Sequence, residues 1–157
     1  MISLNLRKIS IAGLLAILLL TACDKDTVYH SYLHVPNQGW GKNDTLLFTV
    51  PVQDSLALYR LSVEIRNGEK YPYSNLYLFI SHNGQDSTLF VTDTIECTLA
   101  NKQGQWTGTG WGGLYSTSYQ LSSIITKRKG NYKFKITHGM RDDLLQGIDD
   151  IGLCITH

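Results

Sequence analysis

The chain has 157 residues, with fourteen basic and thirteen acidic side chains and a formal net charge of +1. The densest basic cluster is Lys127-Arg128-Lys129 beside Gly130, which reads as a solvated turn, so the sequence shows no stripe of the kind that tracks phosphates and nucleic acid is a poor candidate partner. No His-Glu-x-x-His, Cys-x-x-Cys, phosphate loop or nucleophile elbow occurs, which removes the commonest catalytic signatures.

The first element is a leader. Arg7 and Lys8 precede an apolar run over residues 9–20, and Leu20-Thr21-Ala22-Cys23 closes it. A dozen residues span about 18 Å as a helix, well short of the ~30 Å hydrocarbon core of a bilayer, so the segment reads as a secretory signal and not as a membrane span. The aliphatic-Thr-Ala-Cys box resembles that of bacterial lipoproteins, whose cysteine is acylated. Residues 1–22 are thus expected to be a lipoprotein signal peptide, Cys23 the site of lipid attachment, palmitate included, and residues 23–27 a short tether. Several acyl chains at ~0.8 kcal/mol per buried methylene make such an anchor effectively permanent. Asp24-Lys25-Asp26 partly resembles a surface-export tag, with Thr27 where a further acid is expected; the face of the membrane, periplasmic or external, stays open. Loss of the leader removes Arg7 and Lys8 and leaves 135 residues with twelve bases and thirteen acids, enough for one sizeable core.

Beyond the tether, alternation of period two replaces helical periodicity. Residues 28–35 suit an edge strand, and Pro36-Asn37-Gln38-Gly39 a turn. Leu46, Phe48 and Val50 alternate up to Pro51. In residues 57–66, Ala57, Tyr59, Leu61, Val63 and Ile65 share one face, while Arg60, Ser62, Glu64 and Arg66 share the other: a half-buried antiparallel strand. Residues 75–81 are apolar on both faces, as in a central strand or one covered by a loop. Asn83-Gly84 is a hairpin signal. Further strands are expected at 86–91, 93–99, 118–126, 131–137 and 151–156. Residues 104–113 hold five glycines and two tryptophans, which suits a shaped loop or a heavily bulged strand. The one helix expected is a turn or two over 140–148, from Met140, Leu144 and Leu145. Eight to nine strands with turn-spaced breaks make an all-β fold, an antiparallel β-sandwich of jelly-roll type, as a single domain over 28–157.

Two cysteines remain after Cys23. Cys97 shares a face with Ile95 and Leu99, whereas Cys154 lies opposite Ile151, Leu153 and Ile155, so strand parity disfavours a bridge between them. His30 and His34 stand about 13 Å apart along a strand and cannot chelate one ion together. Asp142-Asp143 and Asp149-Asp150 are read either as an oxygen-rich calcium site or, more simply, as turn and capping residues. No serine or cysteine is placed to complete a triad with His138 and Asp142. The expectation is therefore no enzyme, no metal and no cofactor. The aromatic residues are the better candidates for contact. Trp106 and Trp111 in the glycine-rich stretch, with Tyr71 and Tyr73 around Pro72, offer flat faces for a sugar ring or a partner's apolar patch, or else plug the end of the sandwich. Trp40 reads as a plug.

Several blocks carry a resemblance over most of the chain: Val28-Tyr29-His30-Ser31-Tyr32, Gly39-Trp40, Asp44-Thr45-Leu46, Ile65-Arg66-Asn67 and Tyr71-Pro72-Tyr73-Ser74-Asn75-Leu76-Tyr77. They continue with Asp93-Thr94-Ile95, Gly104-Gln105-Trp106-Thr107-Gly108, His138-Gly139-Met140-Arg141-Asp142-Asp143-Leu144 and Ile151-Gly152-Leu153. With the lipobox, these resemble the GldH-type gliding-motility lipoproteins. The resemblance implies a non-enzymatic outer-membrane lipoprotein of the cell envelope, attached through Cys23 and acting on envelope protein partners in the gliding-motility and cell-surface machinery. It transfers no catalytic residue. The alternative drawn from the residues is a carbohydrate-binding β-sandwich module that uses the loop tryptophans on a glycan.

Overall fold

The computed structural model describes residues 26–83 and 89–157, and among them alternation of apolar and polar side chains yields twelve strands and no helix. In chain order these are β1 (Thr27–His34), β2 (Trp40–Gly41), β3 (Leu46–Val52) and β4 (Leu58–Gly68). There follow β5 (Asn75–His82), β6 (Val91–Thr98), β7 (Thr109–Trp111) and β8 (Leu114–Gln120). The last four are β9 (Ile124–Ile125), β10 (Gly130–His138), β11 (Leu144–Leu145) and β12 (Ile148–Thr156). The leader, Cys23, the Gly84 half of the expected hairpin and residues 86–88 of the strand expected over 86–91 lie outside the described residues; Leu89 and Phe90 are not in a strand, and Val91 opens β6.

One sheet has the order β1-β12-β4-β8-β7, with β9 also pairing β4; the other has the order β3-β10-β5-β6. Every pairing is antiparallel. Taking only the strands of seven residues or more, the sheets run first-eighth-third-sixth and second-seventh-fourth-fifth, the winding of a jelly roll. The count is twelve and not the eight to nine expected: eight strands have seven residues or more, and β2, β7, β9 and β11 are short pieces.

Two local expectations are corrected. The run 118–126 is not one strand: β8 ends at Gln120, Leu121 N–H donates to Leu61 O, and the chain pairs with β4 again only at Ile124. The helix expected over 140–148 is absent. Leu144 and Leu145 pair instead with Gly41 and Trp40, one leucine 49% exposed and its neighbour fully buried, which is strand alternation.

The inner faces meet as the alternation requires. Tyr59, Leu61, Val63 and Ile65 of β4 and Ile151, Leu153 and Ile155 of β12 pack with Phe48, Val50, Leu76, Leu78, Phe134 and Ile136 of the second sheet, all buried. Each such aliphatic or aromatic side chain contributes about 1.5–3 kcal/mol by leaving water. Strand β5 is central, and its outer face is only partly covered: Gly139 and Met140 lie against it, while Tyr77 and Phe79 remain about two-fifths exposed. Cys97 points into the core, where burial pushes its thiol up to about 12, while Cys154 faces outward from the other sheet; no disulfide joins them.

Strand direction sorts the molecule into two ends. Thr27 pairs with Thr156, and His157 N–H donates to Asp26 O, so both ends of the described chain meet at one edge. At the other end His34 faces Asp150, Gly68 faces Leu114, and β12 begins. At about 3.3 Å per residue, the eight residues of β1 separate these ends by about 23 Å.

Candidate functional site at the far end of the sandwich

The end remote from Thr27 gathers the aromatic residues singled out above. Trp111 closes the β7–β8 hairpin opposite Leu114, around Gly112 and Gly113 with φ of +65° and +83°. Positive φ at both central residues defines the type I′ turn that suits the twist of paired strands, and glycine adopts it without strain. The turn holds the Trp111 indole in solvent at 94% exposure, and Leu114 beside it is partly exposed. Among the described residues, no ring packs against Trp111.

Tyr71, Tyr73 and Trp106 are brought together separately. Tyr71 is buried, donates its hydroxyl to Asn75 O at 2.7 Å, and meets Tyr73 edge-on with ring centroids 5.8 Å apart. Burial raises the Tyr71 pKa. Trp106 is half-buried, 6.4 Å from Tyr71 and 5.7 Å from Tyr115 between centroids. It is held there by a backbone bridge to Ala100 and by a tight loop in which Asn101 Oδ1 accepts from Gln103 and Gln105 N–H. Tyr73 is 37% exposed and donates its hydroxyl to Asp142 at 2.6 Å, a bond that raises its pKa. Trp40 is wholly buried, with its indole N–H on Asp44 O and its ring edge-on to His138.

A groove of about 530 Å³ opens beside the Trp111 hairpin. Its walls include Gly112 and Leu114 from the hairpin, Glu69 and Lys70 after β4, and Gln146 and Asp149 before and within β12. Gly147 makes that wall possible. Its φ is +83°, and a β-carbon there would stand 2.3 Å from Tyr71 N, so the two segments touch through backbone alone. The acidic pairs flanking this region engage different partners. Asp142 takes Tyr73, the Asp143 side chain is 98% exposed with Lys42 at 3.9 Å, and Asp150 takes His34 and Arg66. His138 is buried and neither ring nitrogen makes a well-formed hydrogen bond.

A second group escaped the sequence reading. On the outer face of the first sheet, register aligns Tyr32, Gly152 and Glu64 across three strands, with His30, Cys154 and Ser62 in the next row. His30 Nε2 is 3.0 Å from Glu64 Oε2, and the Tyr32 hydroxyl donates to the same oxygen. Arg66 lies 3.8 Å above the Tyr32 ring centroid and 3.5 Å from Asp150, which also meets His34 at 3.1 Å. Partial burial alone would raise the Glu64 pKa, but the bonds from Tyr32 and His30 outweigh it and hold the carboxyl below its usual value. The signal was present as outward parity in each strand; only the pairing of distant segments joins the rows.

Residues 27–155 match the GldH lipoprotein family. The chain is 33% identical over 149 residues to the gliding motility lipoprotein GldH of Flavobacterium johnsoniae, covering 90% of this chain and 92% of that protein. It is 30% identical over 147 residues to a gliding motility lipoprotein GldH homolog of Christiangramia forsetii, covering 88% and 89%. Among solved structures, a family 35 carbohydrate binding module from Clostridium thermocellum superposes with a TM-score of 0.43 at 17% identity, over 85% of this chain and 94% of that one. A likeness that loose carries no argument.

Proposed function

The chain belongs to the GldH lipoprotein family, and from that footing we propose that acyl groups on Cys23 hold it at the outer membrane, where it binds envelope proteins and catalyses no reaction. The observation that carries this reading is the polarity of β1. Cys23 precedes Thr27 by four residues, a reach of at most about 14 Å, so the membrane lies at the Thr27 end. Trp111, Tyr73 and the groove then face away from the lipid, at the opposite end of the sheet. An exposed indole with an apolar neighbour on a rigid two-glycine turn has the character of an interface anchor. Separately, Tyr71 packs behind Tyr73 with Trp106 beside it, and Asp142 orients Tyr73.

Labelling cells with a tagged fatty acid tests the anchor: wild type takes up label and Cys23→Ser does not. Affinity capture from labelled envelopes tests the contact: wild type retains envelope proteins that Trp111→Ala loses. An unlabelled wild type defeats the anchor, and identical capture by both chains defeats the Trp111 contact.

A second reading is favoured by the groove itself. Polar side chains such as Asn37, Lys70, Gln146 and Asp149 line it beside the Trp111 hairpin, a composition that suits a sugar. On a glycan array, binding by wild type and its loss in Trp111→Ala supports this alternative; no binding rejects it.

A further inference from the structure

The outer face of the first sheet holds one group of donor atoms that the anchor and the far end leave unused. His30, Glu64 and Cys154 come from three adjacent strands, β1, β4 and β12, and each offers one donor atom, the three lying within 4.8 Å of one another. We propose that these three side chains bind a divalent transition-metal ion of the zinc class, with water at the remaining position.

The geometry is close to what such an ion needs. Bonds of about 2.0–2.3 Å in a tetrahedral arrangement set neighbouring donors about 3.3–3.8 Å apart. His30 Nε2 and Glu64 Oε2 stand at 3.0 Å and no pair of the three donors exceeds 4.8 Å, so the first pair opens by a few tenths of an ångström and the others close by at most about 1 Å, through side-chain torsions. The backbone is pinned by the sheet: His30 is directly opposite Cys154 in the β1–β12 ladder, and Glu64 sits diagonally from Cys154, in the next row of β4. Such diagonal neighbours are within reach of long side chains. Ser62 and Gly152 occupy the adjoining positions of the two rows, and the Tyr32 ring lies over Gly152 with its hydroxyl on Glu64, so it borders the site on one side.

The donor set selects the ion. One imidazole nitrogen, one carboxylate oxygen and one thiolate sulfur suit zinc and its neighbours and exclude the all-oxygen preference of calcium and magnesium. The Tyr32 hydroxyl, donating to the Glu64 carboxylate, supplies the outer contact that fixes a ligating carboxylate. Binding is balanced simply. A sulfur–metal bond forms as the Cys154 thiol releases one proton to solvent, while His30 binds as neutral imidazole and Glu64 as carboxylate.

The test uses the full chain in detergent, carrying Cys23→Ser so that no leader thiol competes, stripped of metal and titrated with zinc chloride against a chromogenic chelator. One ion per chain is expected, with about one proton released. Cys154→Ser and His30→Gln should each weaken binding at least tenfold, whereas His34→Gln, on the same strand, should bind as the parent does. Cobalt in place of zinc should give a thiolate charge-transfer band that Cys154→Ser lacks. Circular dichroism of the metal-free variants checks that all are folded. Zinc held equally by the parent and Cys154→Ser, or a cobalt complex without the thiolate band, overturns the site.

Discussion

Gly152 lies directly beneath the ring of Tyr32: a β-carbon at Gly152 would stand 2.7 Å from Tyr32 Cε1. The missing side chain allows the ring to lie flat across β12, reach Glu64 with its hydroxyl and accept Arg66 on its upper face. A single methyl group there must lift the ring and part those contacts.

Gly152→Ala should therefore cost about 1–2 kcal/mol in a urea melt, the usual penalty of overpacking. The same substitution in a Tyr32→Ala chain should cost much less, giving a coupling on the order of 1 kcal/mol between the two positions. Additive effects would mean that the ring is not what the methyl group meets.

The tryptophans divide by burial. Trp111 is almost fully solvated, so Trp111→Ala should change stability by no more than about 0.5 kcal/mol. Trp106 is half-buried against Tyr71 and Tyr115, and Trp106→Ala should cost about 2–3 kcal/mol, somewhat below the range for fully buried tryptophan. Chemical denaturation of the two variants separates them; equal losses would contradict the exposed position of Trp111.

His138 sets a pH dependence. Burial lowers its pKa from 6.5, against a smaller opposing pull from the Trp40 backbone, so the folded state prefers the neutral ring. Above 6.5 neither the folded nor the unfolded ring is charged and stability is unaffected. As pH falls below 6.5 the unfolded chain binds the proton first and stability declines, until the lowered folded value is reached. Glu64 acts later: its lowered pKa contributes stability that is present above its ordinary 4.5 and lost as the pH drops through the folded value. Melting temperature followed from neutral pH down to 5 should fall in wild type and flatten in His138→Gln. An equal slope in both would move the effect to another group.

Local alternation was enough to read β4, β10 and the inner face of β3, because a half-buried strand writes its burial into every second residue, as Tyr59, Leu61, Val63 and Ile65 do. It failed at Met140, Leu144 and Leu145, whose spacing also fits one face of a helix. What decides there is Trp40, about a hundred residues away, which takes Leu145 as its strand partner. The exposure of Trp111 had a readable sign in Trp111-Gly112-Gly113-Leu114, a two-residue hairpin turn that fixes its neighbours as a closing pair. Trp106 and Tyr71 had none, since their contact depends on how the loop after β6 folds back over β8. The His30, Glu64 and Cys154 group was hidden for the same reason. Each residue looks like an ordinary outward polar position until register sets the three strands side by side.

The pairing of the first strand with the last has a mechanical consequence. If the Thr27 end is held, as the proposed anchor at Cys23 would hold it, and a partner pulls on the hairpin at the opposite end, tension runs lengthwise through β1. The hydrogen bonds that join it to β12, along the register from Thr27↔Thr156 to His34↔Asp150, are then loaded together in shear and cannot peel open one after another. A module anchored in this way resists extraction along its long axis far better than a sideways tug at the same edge.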